Sequence, residues 1–255
     1  MTDYRPGSEY SDEIAENYHE RLATFWPHPR EQLHIGGWAA THELARVLDI
    51  ANCSHSLDLC CGEGGTANWL AQSHAIRVTG IDIVRQAIAT ARKAAVASDN
   101  PRFVVGNIFD LPFRANTFDI VYGQDPDGIA HHQRVYCFRE CWRVLQPKGL
   151  FGFQHWLIHD DAPPSVVERF ESINTDLGFA SMRRLRVGDY TADLIEAGFE
   201  IVAVHDLHQM YAEHMHAMQE IARARGQQID TWTRLVLELI DSGHKIGIRI
   251  IAKKP

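Results

Sequence analysis

Short apolar runs ending in glycine or aspartate alternate along most of this chain with longer stretches of helical spacing. HSLDLCC (55–61) is one such run, stopped by Gly62, and AIRVTGID (75–82) is a second, stopped by Asp82. Their nearly continuous hydrophobicity predicts strands buried on both faces, as in a parallel sheet. Between them TANWLAQS (66–73) has helical spacing, and VRQAIATARKAAVAS (84–98) is alanine-rich, which predicts a second helix. The alternation continues with strands over 102–107 and 118–125, a helix over 131–145, a PKG turn and a strand over 150–156. Residues 191–198 then predict a helix, and 199–207 and 244–254 predict the last two strands. Two helical stretches fall between Gln209 and Ser242, and the N-terminal region predicts helices around 11–24 and 38–49.

Strands that alternate with helices of this length imply right-handed crossovers and a sheet covered on both faces. The expectation is a doubly wound α/β fold on a seven-stranded sheet. It divides into an N-terminal helical cap (1–50), an α/β core (51–208), a helical insertion (209–243) and a final core strand (244–255). The insertion carries Met210, Tyr211, Met215, Met218, Ile221, Trp232 and Leu235. That apolar spacing suits a lid closing over a ligand, and ordinary core packing explains it equally well.

Charge narrows the function. A net charge of −8 and the absence of any Lys/Arg run argue against nucleic acid as a partner, because backbone binding needs a basic footprint. The start MTDYRPGSEY has no basic stretch leading into an apolar core, and no run nears the roughly 20 apolar residues of a membrane span, so the expectation is a cytoplasmic protein without a membrane partner. The five cysteines form no CxxC pair and are expected as free thiols. Among fifteen histidines, the pairs His131/His132, His205/His208 and His214/His216 lack the spacing and the neighbouring ligands of a zinc site, so no metal is expected.

Chemistry concentrates where strands end. Asp58-Leu59-Cys60-Cys61-Gly62-Glu63-Gly64-Gly65 places glycines at a strand-to-helix turn, where positive φ and close ligand approach are easiest. Asp82 ends the next strand, 18 positions after Gly64, where a carboxylate can accept from both hydroxyls of a ribose. Together they point to nucleotide binding. The turn departs from GxGxxG, which disfavours a nicotinamide dinucleotide.

With Gly80-Ile81-Asp82, GNIFDLPF (106–113), NTFDIVYGQD (116–125) and LQPKGLFGF (145–153) following in order, the chain resembles the class I S-adenosylmethionine (SAM) dependent methyltransferases over about residues 30–255. QLHIGGW (32–38) and Gln124-Asp125 look most like the small-molecule group that includes sarcosine and dimethylglycine N-methyltransferases and relatives acting on sugars and terpenoids. The resemblance implies a mostly parallel, Rossmann-like sheet, SAM as the cofactor, and methyl transfer to N, O or C of a small-molecule acceptor. It leaves room for a homodimer.

The resemblance also implies roles for particular residues. Gly62 and Gly64 would run along the methionine portion of SAM, with Asp58 supporting the loop through its N–H groups or a water near the amino group. Asp82 would take the ribose hydroxyls, and Ile83 and Ile108 would line adenine unless they are simply core. Asn107 stands where relatives usually carry an acid and can still accept from the adenine amino group. Trp38 would cover SAM from the cap, or else merely pack there.

Gln124 and Asp125 would face the methyl donor, Gln124 also touching the cofactor, with His131 as the candidate base beyond a loop about two residues longer than in relatives. His132 is the alternative, and capping the following helix is the structural account of both. Nothing in these motifs reads the fate of the methyl group, so SAM used for cyclisation or lyase chemistry, or as a regulatory ligand, is the rival reading.

Overall fold

The computed structural model describes residues 34–95, 99–126, 129, 132–176, 186–229 and 231–255. The expected helix over 11–24, Gln32 and Leu33 of the QLHIGGW segment, and His131 lie outside the described residues. The elements are α1 (Gly37–Val47), β1 (His55–Leu59), α2 (Gly65–Ser73), β2 (Arg77–Asp82), α3 (Arg85–Ala94), β3 (Arg102–Val105) and β4 (Phe118–Gln124). Then come α4 (Arg134–Val144), β5 (Leu145–Ile158), α5 (Pro164–Asp176), α6 (Val187–Glu196), β6 (Glu200–Asp206), α7 (His208–Ala224), α8 (Thr231–Asp241) and β7 (Lys245–Lys253).

All seven strands share one sheet in the order β3-β2-β1-β4-β5-β7-β6. Only β7 runs antiparallel to its neighbours, which gives the mostly parallel sheet the sequence implied. The chain builds outward from β1 in one direction and from β4 in the other. The carboxyl ends of these two adjacent strands therefore form the switch point of the sheet, the usual ligand position in open α/β sheets.

Two apolar clusters cover the faces. One joins Leu44 and Leu48 of α1, Leu70 of α2 and Ile88 of α3 to Ile120 and Tyr122 of β4. The other joins Phe138 of α4 and Tyr190 and Leu194 of α6 to Phe151 and Phe153 of β5, and extends to Tyr211, Met215, Leu235 and Ile240 of α7 and α8. The two helices of the 209–243 insertion thus form as expected, with part of their apolar stripe packed into the larger core.

Three local differences from the sequence reading have physical causes. Pro147-Lys148-Gly149 is not a turn between helix and strand: β5 already begins at Leu145 and runs through it, with Lys148 at φ 66° and a register shift against β4. Hydrogen bonds from Lys148 N–H to Lys254 and from Lys254 N–H to Gly149 close this bulge, so long-range pairing overrides the local turn signal. Between residues 157 and 190, where the pattern assigned no element, α5 forms with Pro164 at its first position, a placement that costs no hydrogen bond. Helix α4 starts at Arg134 rather than at residue 131, leaving His132 exposed in the preceding turn.

Candidate active site

The glycine turn leaves β1 with Cys60, Gly62 and Gly64 all at positive φ (53°, 52° and 81°). Its two glycines serve different ends. A Cβ on Gly62 would meet no atom within 4 Å, so the backbone there borders open space a ligand can approach. A Cβ on Gly64 would lie 2.5 Å from Phe103 and 2.9 Å from Ala91, so this glycine lets the turn press against β3 and α3. Gly64→Ala is expected to destabilise the protein by about 2–4 kcal/mol, combining left-handed strain with overpacking. Chemical unfolding compared with Gly62→Ala checks this, and equal losses would contradict the assignment.

Asp82 closes the turn. Its Oδ2 accepts the Gly62 N–H and its Oδ1 the Val84 N–H, both at 2.9 Å, which fixes the carboxylate at the end of β2. The Gly62 N–H thus goes to Asp82 and not to Asp58. Asp58 lies across from Tyr122 in the β1–β4 register, is 4% exposed, and keeps an Oδ2 with no hydrogen-bond partner among the described residues. Burial pushes its carboxyl up to about 8, the Tyr122 hydroxyl opposes that rise, and the nearby Asp82 charge adds to it. A cation placed beside this buried carboxyl would favour its ionised form.

Asn107 is committed locally, its side-chain oxygen accepting the Phe109 N–H at 2.9 Å. Ile108 packs against the larger core and Ile83 against Val84 and Ala87, both half-buried. Trp38 is 39% exposed on α1, with its ring edge-on to Trp69 at 6.1 Å.

Gln124 knits three elements together. Its amide oxygen accepts from the Thr66 hydroxyl at 3.0 Å, while its nitrogen lies 3.2 Å from the Thr41 hydroxyl and 3.4 Å from His34 Nδ1. The cap segment is thereby tied to the helix that follows the glycine turn. Asp125, at φ 46°, accepts the Ile35 N–H at 2.7 Å through Oδ2, and its Oδ1 lies 3.3 Å from His155 Nδ1 and 3.5 Å from the Tyr211 hydroxyl. Burial holds both His34 and His214 below the usual imidazole range against the pull of Asp125, and the His34 charge adds to the lowering at His214.

His34, His155, Tyr211 and His214 were not singled out as site residues by the sequence reading. The one signal for His155 was its place near the end of a strand parallel to the one ending at Gln124. Among the described residues, no group of three or more His, Cys, Asp or Glu is arranged to hold a metal ion.

Residues 57–149 match the model of a methyltransferase domain. A sterol 24-C-methyltransferase of Schizosaccharomyces pombe is 30% identical over 171 residues, covering 65% of this chain and 45% of that protein. A glycine/sarcosine/dimethylglycine N-methyltransferase of Actinopolyspora halophila is 24% identical over 232 residues, covering 86% of this chain and 40% of that one. The chain therefore spans under half the length of these curated relatives. Among solved structures, the [4+2]-cyclase SpnF superposes with a TM-score of 0.72 at 20% identity, covering 96% of each chain.

Proposed function

We propose that this chain, which carries a class I SAM-dependent methyltransferase domain, transfers the methyl group of SAM to a small-molecule acceptor. SAM supplies a methyl group made electrophilic by its sulfonium, and the protein's part is alignment and charge. The carrying observation is the glycine turn bounded by two buried acids. In this reading Gly62 lets the methionine portion pass close to the backbone, Asp58 receives its ammonium group, and Asp82, held by two main-chain N–H groups, accepts from the ribose. Asn107, Ile83 and Ile108 border the adenine, Trp38 covers the cap side, and Gln124 and Asp125 face the methyl group. His131, the candidate base named from the sequence, lies outside the described residues. The acidic balance of the chain supports a small molecule over nucleic acid as acceptor.

Asp58 provides a test that needs no acceptor. A carboxyl raised to about 8 from its ordinary 3.8 is mostly protonated at neutral pH, and a cation placed beside it favours ionisation. SAM binding at pH 7 is therefore expected to release close to one proton, and its affinity to rise with pH up to about 8. Without ligand the sign is opposite: stability from this group is fully present below about pH 4 and is lost as pH rises toward 8. Titration calorimetry in buffers of differing ionisation enthalpy reads the proton count. Equal release in Asp58→Asn would remove Asp58 from the ammonium site, and no SAM binding by the wild type would end the reading as a whole.

The likeness to a cyclase over nearly the whole chain favours one second reading, in which the site binds SAM without transferring its methyl group. Mass spectrometry separates the two: S-adenosylhomocysteine with a methylated acceptor supports transfer, and SAM recovered intact beside a rearranged product supports the alternative.

A further inference from the structure

β4 and β5 run parallel with Gln124 opposite Gln154, so the next residue of each, Asp125 and His155, emerges at the same end of the sheet. The Asp125 N–H donates to the Gln154 carbonyl at 2.8 Å, fixing the one against the other. His155 Nδ1 then lies 3.3 Å from Asp125 Oδ1, with the two side chains 6% and 7% exposed. A carboxylate beside Nδ1 keeps the proton on that nitrogen and leaves the lone pair on Nε2, to which no described residue forms a hydrogen bond.

The ring is held between Phe153 and Tyr190, at centroid distances of 5.7 and 6.1 Å. The ionisable groups around the pair are Tyr211 and His214 from α7, His34 from the segment before α1, Tyr190 from α6 and Arg134 from α4. Burial disfavours the charged form of both histidines. The Arg134 charge is met by Asp193 at 2.6 Å.

Resting on the methyl-transfer reading above, we propose that His155, oriented by Asp125, is the proton acceptor of the reaction and that the acceptor molecule presents a hydroxyl group. The hydroxyl oxygen forms its bond to the methyl carbon as the carbon–sulfur bond breaks with its electron pair left on sulfur. The O–H proton passes to His155 Nε2, and the imidazolium so formed lies against the Asp125 carboxylate. The products are a methyl ether, S-adenosylhomocysteine and one proton, later lost from His155 to water.

A buried base of this kind matches an alcohol or phenol, which must lose its proton to become a competent nucleophile. A neutral amine attacks through a lone pair it already has. The Asp125 carboxylate also suits an ammonium poorly, since three of its roughly four lone-pair sites face Ile35, His155 and Tyr211.

Two measurements test this. Long-range nitrogen–proton NMR of the full chain, with the His155 signals assigned by their loss in His155→Gln, is expected to show the Nδ1–H tautomer, with the Nε2–H share growing in Asp125→Asn. Single-turnover transfer from methyl-labelled SAM is then followed against phenols, sugars, prenyl alcohols and matched amines. His155→Gln is expected to lower transfer to the hydroxyl acceptor by about 10²–10⁴-fold with SAM affinity unchanged, while His131→Asn, run beside it, falls less. An Nε2–H tautomer in the wild type overturns the pair. A His155→Gln rate within about threefold of wild type overturns its role as base, and methylation of amines alone, or of no hydroxyl compound, overturns the substrate class. Failure of the wild type to bind SAM strikes the underlying reading instead, and calorimetry detects that separately.

Discussion

Asp82→Ala is expected to weaken SAM binding by about 10²–10⁴-fold, the largest loss of affinity from any single change in this site. The substitution removes a carboxylate assigned to two ribose hydroxyls, and hydrogen bonds to a charged acceptor contribute about 1.5–3 kcal/mol each. It also releases the Gly62 and Val84 N–H groups, now held at 2.9 Å, so the glycine turn loses the contact that sets its shape. Asp82→Asn keeps an acceptor for one of the two N–H groups and sets its NH2 against the other, and its loss is expected to fall between wild type and Asp82→Ala. Calorimetry on both variants, alongside their thermal unfolding, checks the result. A folded Asp82→Ala protein with wild-type affinity would take the ribose away from this residue.

The parts of this site that the sequence disclosed are those in which partners are near in the chain or are punctuated by glycine. The Gly62 turn and Asp82 both stop apolar runs, so their places at strand ends follow from a local pattern, and the structure joins them directly. The same local signals misled at Pro147-Lys148-Gly149, which has the composition of a turn and is instead a bulge closed by pairing with the far end of the chain. Fold class survived that error because seven apolar runs with helical spacers admit few sheets.

The surroundings of Asp125 were harder to read. Asp125 meets His155 across 30 positions and Ile35 across 90, and no periodicity marks such pairs. His155 looked like one more residue of an apolar strand. The division of labour between Gly62 and Gly64 was hidden for a related reason, because it depends on where Phe103 of a different strand happens to lie.

Arg249→Met is expected to destabilise the protein by about 3–5 kcal/mol and to loosen α1 before the sheet. Arg249 is fully buried on β7, with its guanidinium 3.2 Å from Glu43, 3.3 Å from the Ala40 carbonyl and 3.1 Å from the Gln154 side-chain oxygen. It is the charged anchor of α1, whose far end docks where Gly152 makes room for Leu48: a Cβ on that glycine would lie 2.6 Å from it. Burial draws the Arg249 guanidinium below its usual range while Glu43 resists that shift, so the charge depends on its partners. Removing it leaves the Ala40 carbonyl and the Gln154 oxygen without their donor, a loss comparable to breaking a buried ion pair from one side. Glu43→Gln, by contrast, keeps a neutral acceptor on a side chain that is 36% exposed, and is expected to cost less than Arg249→Met. The consequence reaches the proposed site because α1 carries Thr41 and is entered through His34 and Ile35, the partners of Gln124 and Asp125. Urea unfolding gives the stability difference, and amide exchange resolved along the chain shows where it falls. Exchange across residues 37–47 should rise in Arg249→Met while β1 and β4 stay protected, and a variant within about 1 kcal/mol of wild type with α1 still protected would show that the apolar contacts of Leu44 and Leu48 hold the cap without the arginine.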